Sequence, residues 1–531
     1  FGVSEDGDKY GNMFNFPKMD VHVGRETFED PKNDKLLKRA CEVVEKNDSI
    51  YFMFDRGDGM NVSQCCRLRE RITDPAILKH PEKMRFCGFQ NVTINLPQAA
   101  YRAEGDTLEQ RITSTKEEID KAMLIALKAH TNKRRYIQSY FDEEGSPLHT
   151  MGGIPSDDGE PYIDLDKATY IIGIAGLNEL VQHIKGEQIH ESPEAYKLGL
   201  EILSHIYSVK TEFSDRYKMK FVVEETPGES ANRRLAKLDE HVYPEKAKKV
   251  LKGDPQTDSV YYTNSSHLTA DAPVSGLDRV ILQSKMNPMI EAGAITHIFS
   301  GEKANKANAV YDMVKATYFE TQSSQIVFSG EHTVCLVDGR HQRGLKDKCD
   351  NCGNDDPKKL SQKTRVVGYF SDPRAWNKSK KDGELVARQN TQNFYAGLEE
   401  STYDLQSEIL KREVNGKLRI GVIGTEGCTV CDGAKNKIEL ALKRGIDTPE
   451  GKKLTADDIE LVKYDVATEE GRVMAAIYDA PLDVYPTVII HKGDRFLKGS
   501  WEYPYNEKPR GLTSRDIKEM VQEMAAYNPE E

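Results

Sequence analysis

Residues 365–376 read RVVGYFSDPRAW. Val366, Val367, Tyr369 and Phe370 predict a short β-strand, and Gly368 falls in its middle. Glycine weakens a strand because it has no side chain to pack and loses more entropy on ordering. Taken alone, these residues favour a bulge or a close approach of another backbone. The segments on either side shift that balance.

Upstream lies CLVDGRHQRGLKDKCDNCG, 335–353, a Cys-, Gly- and Asp-rich break in the pattern. Its CxxCG turn resembles half of a zinc knuckle. The other half is CxxD followed by a histidine. Cys335, His341, Cys349 and Cys352 make a plausible tetrahedral set, with Asp338 as the competing fourth ligand. Four protein ligands leave no open position, so the site reads as structural zinc. The alternative is a chance cluster of surface thiols.

Downstream, residues 396–416 are polar and helix-prone and read as a connection. A new α/β pattern runs from Lys417 to the end. LRIGVIGTEGCTVCDGAKNKIELAL is strand, loop, CxxC, helix. Cys428 sits at the helix start, where N–H groups and the macrodipole favour a thiolate. That makes Cys428 the attacking thiol and Cys431 the resolving one. IELVKYDV, EEGRVMAAIYDA and VYPTVIIHKGDRF follow as strand, helix and strand. The YPT step is where redoxins place a cis-proline facing the dithiol, here Pro486. Residues 417–531 therefore resemble a thioredoxin/glutaredoxin-like domain. A zinc pair is the competing reading of a lone CxxC, but no second pair lies nearby.

Further upstream, strands alternate with helices, which predicts an α/β fold with parallel pairing. KNDKLLKRACEVVEKN reads as helix and IYFMFDRGDGMN as a strand entering a Gly-rich loop, followed by CCRLRERI. FQNVTINLP is a strand stopped by Pro97. Residues 115–143 and 193–218 read as helices, and ATYIIGIAGLNELVQHI as a buried segment. MKFVVEETPGESANRRLAKL is strand, turn, helix, while DSVYYTNSS and AGAITHIFSGE are further strands.

The totals bound the function. The 531 residues carry a formal net charge of −12, and the sequence pI is about 5.7. That argues against a nucleic-acid scaffold and suits a protein binding small phosphorylated ligands through local features. No apolar run approaches the roughly 18 residues of a membrane span, and no signal peptide opens the chain. The expectation is a cytoplasmic protein without membrane or nucleic-acid partners. Nine cysteines in so long a chain, clustered as CC, CxxC and CxxC, suggest chemistry or metal rather than a disulfide scaffold. Cys41 and Cys87 read as ordinary buried thiols.

The order of these pieces is the most specific signal. A Cys-Arg loop, NVTINLP, TNSS, GAITHIFSGE, a Cys-rich loop and RVVGYF followed by Trp376 resembles the anaerobic, class III ribonucleotide reductases, which are glycyl-radical enzymes. The likeness spans roughly residues 10–395. It implies a ten-stranded α/β barrel with a central finger loop, partial here at its N-terminal side. The implied catalytic barrel is residues 1–395, with its zinc loop at 335–353 and glycyl-radical loop at 364–380. A linker, 396–416, and the redoxin domain, 417–531, follow.

The resemblance implies that Gly368 stores the radical. A glycine Cα radical is planar and shared with the flanking N–H and C=O, uncrowded by a side chain, which explains glycine at a packed site. Cys66, followed by Arg67 in GDGMNVSQCCRLRE, becomes the thiyl residue that takes the ribose 3′ hydrogen. Cys65 is the alternative or a helper thiol, and a buried pair or vicinal disulfide is the competing reading of CC. Glu70 reads as a surface helix residue or an acid–base group.

Asn264, Ser265 and Ser266, together with Asn91 and Asn95, are candidate nucleotide contacts, as is the helix opening near Ser230. Each of these, singly, also fits a cap or turn. A separate iron–sulfur activase using S-adenosylmethionine, nucleoside triphosphate substrates, nucleotide effectors and a homodimer are also implied. Many family members draw electrons from formate, and others from a redoxin. The fused CxxC points to the second route, by thiol–disulfide exchange. The chain opens at Phe1 and is expected to lack early barrel strands, a second active-site cysteine and a regulatory domain. Two other classes compete. A radical lyase would need neither the zinc loop nor a dithiol. A disulfide oxidoreductase or redox sensor would leave Gly368 inert.

Overall fold

The computed structural model describes residues 8, 18–56, 59–64, 67–390, 404–414, 417–449, 451–483, 485–500 and 513–528. The expected thiyl pair, Cys65 and Cys66, lies outside them. So does nearly half of the expected linker, whose described part carries the helix Leu405–Glu413.

The first unit contains strands β1 (Met19–Val23), β2 (Ile50–Phe54), β3 (Met60–Ser63), β4 (Arg69–Ile72), β5 (Gly88–Asn95), β6 (Thr169–Ala175), β7 (Lys220–Glu225), β8 (Thr296–Gly301), β9 (Gln325–Gly330), β10 (His332–Cys335), β11 (His341–Arg343) and β12 (Leu360–Lys363). β5, β6 and β7 form a parallel sheet. β1, β2, β9 and β8 form a second sheet, with β2 antiparallel to β9. An isolated parallel bridge, Glu224↔Gly293, links the two. The result is an open arc in the order β5-β6-β7-β8-β9-β2-β1. Among the described residues nothing pairs β5 with β1, so no closed barrel forms.

Local chemistry explains these elements. All seven residues of β6, TYIIGIA, are buried, as expected of a strand covered on both faces. The long helix Pro193–Tyr217 starts where Ser192 accepts from the Ala195 N–H and Pro193 opens the first turn. It ends at Lys218 in the left-handed region. The helix expected at 115–143 spans Leu108–Asp142 and opens with a capping box at Thr107. No described helix is long and apolar enough to cross a membrane.

Three expectations need correction. The strand expected in DSVYYTNSS is irregular, apart from the bridge Lys252↔Tyr261. Its carbonyls at Thr263 and Ser265 instead accept from the N–H groups of Gly176 and Leu177. Glu70 is not an exposed helix residue. It is buried in the hairpin β3–β4, bonded to Lys220 and to the Thr169 hydroxyl. Residues 366–369 are a chain of bends rather than a strand, closed at the base by the antiparallel bridge Thr364↔Ser371.

The second unit has β13 (Leu418–Gly424), β14 (Ile446–Asp447), β15 (Lys453–Leu454), β16 (Ile459–Asp465), β17 (Thr487–Lys492) and β18 (Arg495–Ser500). Its sheet order is β16-β13-β17-β18, with β13 parallel to β16 and antiparallel to β17. The unit packs on the first through a shared apolar cluster that joins Met286, Met289 and Ile290 to Ile477, Tyr478 and Ala480. A fully buried ion pair, Lys285–Asp479, crosses the same junction.

Candidate active site and metal centre

The hairpin β3–β4 runs along the inside of the arc. Gly293 touches it so closely that a Cβ there would meet the Arg67 carbonyl oxygen at 2.0 Å. Arg67, next in sequence to Cys66, is almost completely buried. Its guanidinium donates to the Glu225 and Thr226 carbonyls at 3.1 and 3.2 Å, and to the Val367 carbonyl at 2.9 Å. It also lies 3.7 Å from the Glu225 carboxylate. One planar fork therefore ties the hairpin to the end of β7 and to the peptide unit joining Val367 to Gly368.

Gly368 is buried at the tip of its loop. The Tyr51 hydroxyl donates to its carbonyl at 2.6 Å. Arg365 packs its guanidinium over Phe370, 3.7 Å from the ring centroid, and donates to the Asp48 carbonyl. Asp48 in turn accepts from His332 and Arg343. The apolar residues that suggested a strand are thus the packing surface of a buried loop.

The ends of β5–β7 hold a polar layer. The Asn91 amide donates to Glu224 at 2.7 Å, and Thr93 and Thr226 share a bond of 3.0 Å. A Cβ at residue 173 would meet Thr226 Oγ1 at 2.1 Å and Asn91 Oδ1 at 2.2 Å, so any other residue there would displace these two side chains. Ser266 donates to Glu225 at 2.6 Å, and His267 lies 3.0 Å from the same carboxylate. Ser265 donates to the Thr226 carbonyl. Asn264 accepts from the Gly228 N–H and the Asn232 amide, and its own amide nitrogen is buried without an acceptor among the described residues. The structure therefore brings Asn91, Asn264, Ser265 and Ser266 to one region. Asn95 instead donates to Asp239, away from it. Ser230 caps its helix without a side-chain bond.

Glu224 and Glu225 carry opposite electrostatics. Burial raises Glu225, but His267, Arg67 and Ser266 outweigh it and hold the carboxyl at about 2. Burial lifts Glu224 to about 7 against the Asn91 amide. A carboxyl raised on folding stabilises fully below its unfolded value of 4.5, and the benefit is lost as pH rises towards 7. Glu224→Gln should therefore remove a loss on the order of 2–3 kcal/mol between pH 4.5 and 7, read by urea unfolding at several pH values. These two glutamates, Tyr51, and the positioning role of Arg67 were not foreseen. The signal available was FVVEE, an apolar strand ending in paired carboxylates.

In the second unit the helix Thr429–Arg444 begins directly after Cys428, whose sulfur accepts from the Cys431 N–H at 3.2 Å. Cys428 and Cys431 form a disulfide. The Tyr485–Pro486 peptide is cis.

The candidate metal cluster is Cys335, Asp338, Cys349 and Cys352, whose ligand atoms all lie within 4.8 Å of one another. Three thiols and a carboxylate at that spacing fit a tetrahedral zinc ion. Asn351 and the Arg340 N–H hold the Asp338 carboxyl well below the usual carboxylate range, ready as an anionic ligand. His341, the expected fourth ligand, is not in the cluster. It pairs across β10–β11, stacks on His332 at 5.1 Å and bonds to that ring at 3.0 Å. We expect Asp338→Ala to lower bound zinc at least about tenfold in affinity, with His341→Ala leaving it unchanged. Metal analysis of dialysed protein checks both.

A family model described as anaerobic ribonucleoside-triphosphate reductase matches residues 1–390. The curated enzyme of that name from Salmonella typhimurium is 24% identical over 300 residues, 54% of this chain and 39% of the relative. The one from Escherichia coli is 23% identical over the same shares. A solved anaerobic ribonucleotide reductase aligns with TM-score 0.52 and 20% identity, covering 73% of this chain and 56% of that one. The Thermotoga maritima enzyme in complex with dATP and CTP gives 0.50 and 19%, covering 70% and 56%. At that identity the structural likeness establishes the fold alone. The chain spans about two-fifths of the length of these curated relatives, and its second unit lies beyond the matched residues. The family match covers most of the chain and includes the hairpin, the cysteine cluster and the Gly368 loop, so the chain belongs to the anaerobic ribonucleoside-triphosphate reductase family.

Proposed function

We propose that this chain reduces ribonucleoside triphosphates to deoxyribonucleoside triphosphates without oxygen, by glycyl and thiyl radical chemistry. The carrying observation is Arg67, which follows Cys66 in sequence and bonds to the carbonyl next to Gly368. That contact ties the residue after Cys66 to the glycine loop, as transfer of a hydrogen atom between Cys66 and Gly368 requires. Gly368 stores the radical, made by a separate activase that uses S-adenosylmethionine and an iron–sulfur cluster. Cys66, with Cys65 as the alternative, takes the ribose 3′ hydrogen. The 2′-hydroxyl leaves as water, and two electrons complete the reduction. The free Asn264 amide donates to a nucleotide oxygen, while Asn91, Ser265 and Ser266 hold the wall. Zinc, held by Cys335, Asp338, Cys349 and Cys352, is structural.

The electrons come from the second unit, read as a redoxin domain. A disulfide reductase first reduces the Cys428–Cys431 disulfide to the dithiol. Cys428 then attacks the disulfide that the substrate step leaves on the active-site cysteine, Cys431 displaces that cysteine from the mixed disulfide and re-forms the Cys428–Cys431 bond, and Pro486 faces the pair. A relative has been solved with dATP and CTP, which supports nucleotide effectors here. We place the working enzyme in the cytoplasm as a homodimer.

A second reading, a disulfide oxidoreductase with a non-radical first unit, is favoured by the Cys428–Cys431 disulfide beside exposed Val430. Product formation by the activated parent protein separates them. Cys428→Ser should abolish turnover driven by a disulfide reductase and keep turnover driven by dithiothreitol. Loss of disulfide reduction in Cys428→Ser, with no deoxynucleotide from wild type, would favour the second reading.

A further inference from the structure

A cavity of about 270 Å³ lies where the two units meet. Its walls are the root of the hairpin β3–β4, the start of β7 and the loop 481–483. Arg56, Arg69, Arg71 and Lys220 line it, with Glu70, Glu291 and Asp483. Each of those carboxylates already has a cation. Glu70 pairs with Lys220, Glu291 with Lys210, and Asp483 with Arg71. Arg56 donates to the carbonyls of Thr317, Tyr318 and Ser323.

Arg69 is different. Strand alternation places it on the same face of β4 as Arg71. Its Nε donates to the Glu291 carbonyl at 3.3 Å, and its two terminal nitrogens have no acceptor among the described residues. Burial, then the neighbouring Arg56, pushes its pKa down to about 10, so it stays charged at neutral pH. The half-buried guanidinium has Asp55 and Asp483 near enough to favour its charge, but neither carboxylate bonds to its fork, whose planar geometry matches a carboxylate or phosphate.

We propose that this cavity binds a small oxyanion, a carboxylate or phosphate group held in the Arg69 fork with Arg71 as the second cation. Such an anion sits at the junction of the two units, because Arg71 is also the partner of Asp483. The ligand competes with Asp483 for that guanidinium. Removing the Asp483 carboxylate therefore tightens the site instead of weakening it.

Isothermal titration of the full chain with inorganic phosphate, and separately with acetate, tests this at constant ionic strength set by chloride. The expected result is one saturable site for at least one probe. Affinity falls at least about tenfold in Arg69→Gln and less in Arg69→Lys. Asp483→Ala binds more tightly than wild type. Saturation by phosphate alone assigns a phosphate group, and saturation by acetate assigns a carboxylate. No saturable binding of either probe to folded wild type overturns the proposal, as does binding unchanged in Arg69→Gln. If Arg69→Gln does not fold, Asp483→Ala decides, and equal or weaker binding overturns it.

Discussion

Gly368→Ala should yield a folded protein that forms no deoxynucleotide at all. Gly368 is not among the glycines at positive φ, so its backbone suits alanine, and the added methyl at this buried position should cost about 1–3 kcal/mol of stability. The chemistry is what fails. A radical at residue 368 needs a flat Cα conjugated with both flanking peptides, and a methyl group crowds that plane. The neighbouring groups are aimed at those peptides: Tyr51 at the Gly368 carbonyl and Arg67 at the Val367 carbonyl. Disulfide reduction by Cys428 and Cys431 should persist in the same variant. Thermal unfolding, product assay and a disulfide-reduction assay on one preparation check the three statements together.

Arg67 variants should separate folding from radical transfer. Arg67→Ala removes the guanidinium beside the buried Glu225 carboxylate, which keeps Ser266 and His267, so the cost should fall below the about 3–5 kcal/mol of a fully uncompensated buried pair. Arg67→Lys keeps the charge near Glu225 but loses the fork that also reaches Val367. We expect the lysine variant to fold and to accept the radical at Gly368. Its turnover should fall on the order of a hundredfold, because a displacement of roughly 1 Å between reacting groups has that effect. Urea unfolding measures the first effect, and kcat measured against spin per chain measures the second. Full turnover in Arg67→Lys would mean that the contact to Val367 does not set the transfer geometry.

What the sequence conveyed depended on how local each feature is. The family, the parallel strands and the CxxC helix start are written in contiguous residues. The burial of Glu70 is not, because its partners Thr169 and Lys220 lie 99 and 150 residues away. Residues 366–370 look like a strand, since apolar residues flank the glycine. They are instead buried as a loop by Tyr51 and by Arg365 stacked on Phe370. The cysteine spacing located the metal cluster but not its fourth member. His341 and Asp338 both lie close in sequence to Cys335, and the β10–β11 pairing turns the His341 ring to His332. Glu224 and Glu225 acquire opposite protonation preferences only through Asn91, His267 and Arg67, contributed by separate strands and loops.

The most direct measurement is an electron paramagnetic resonance spectrum of the parent protein after anaerobic incubation with its activase and S-adenosylmethionine, followed by exposure to air and mass spectrometry. The account predicts a glycyl doublet, and backbone cleavage at Gly368 once oxygen enters. No doublet and no cleavage, with an activase proven on another member of the family, would contradict it and leave Gly368 a structural glycine.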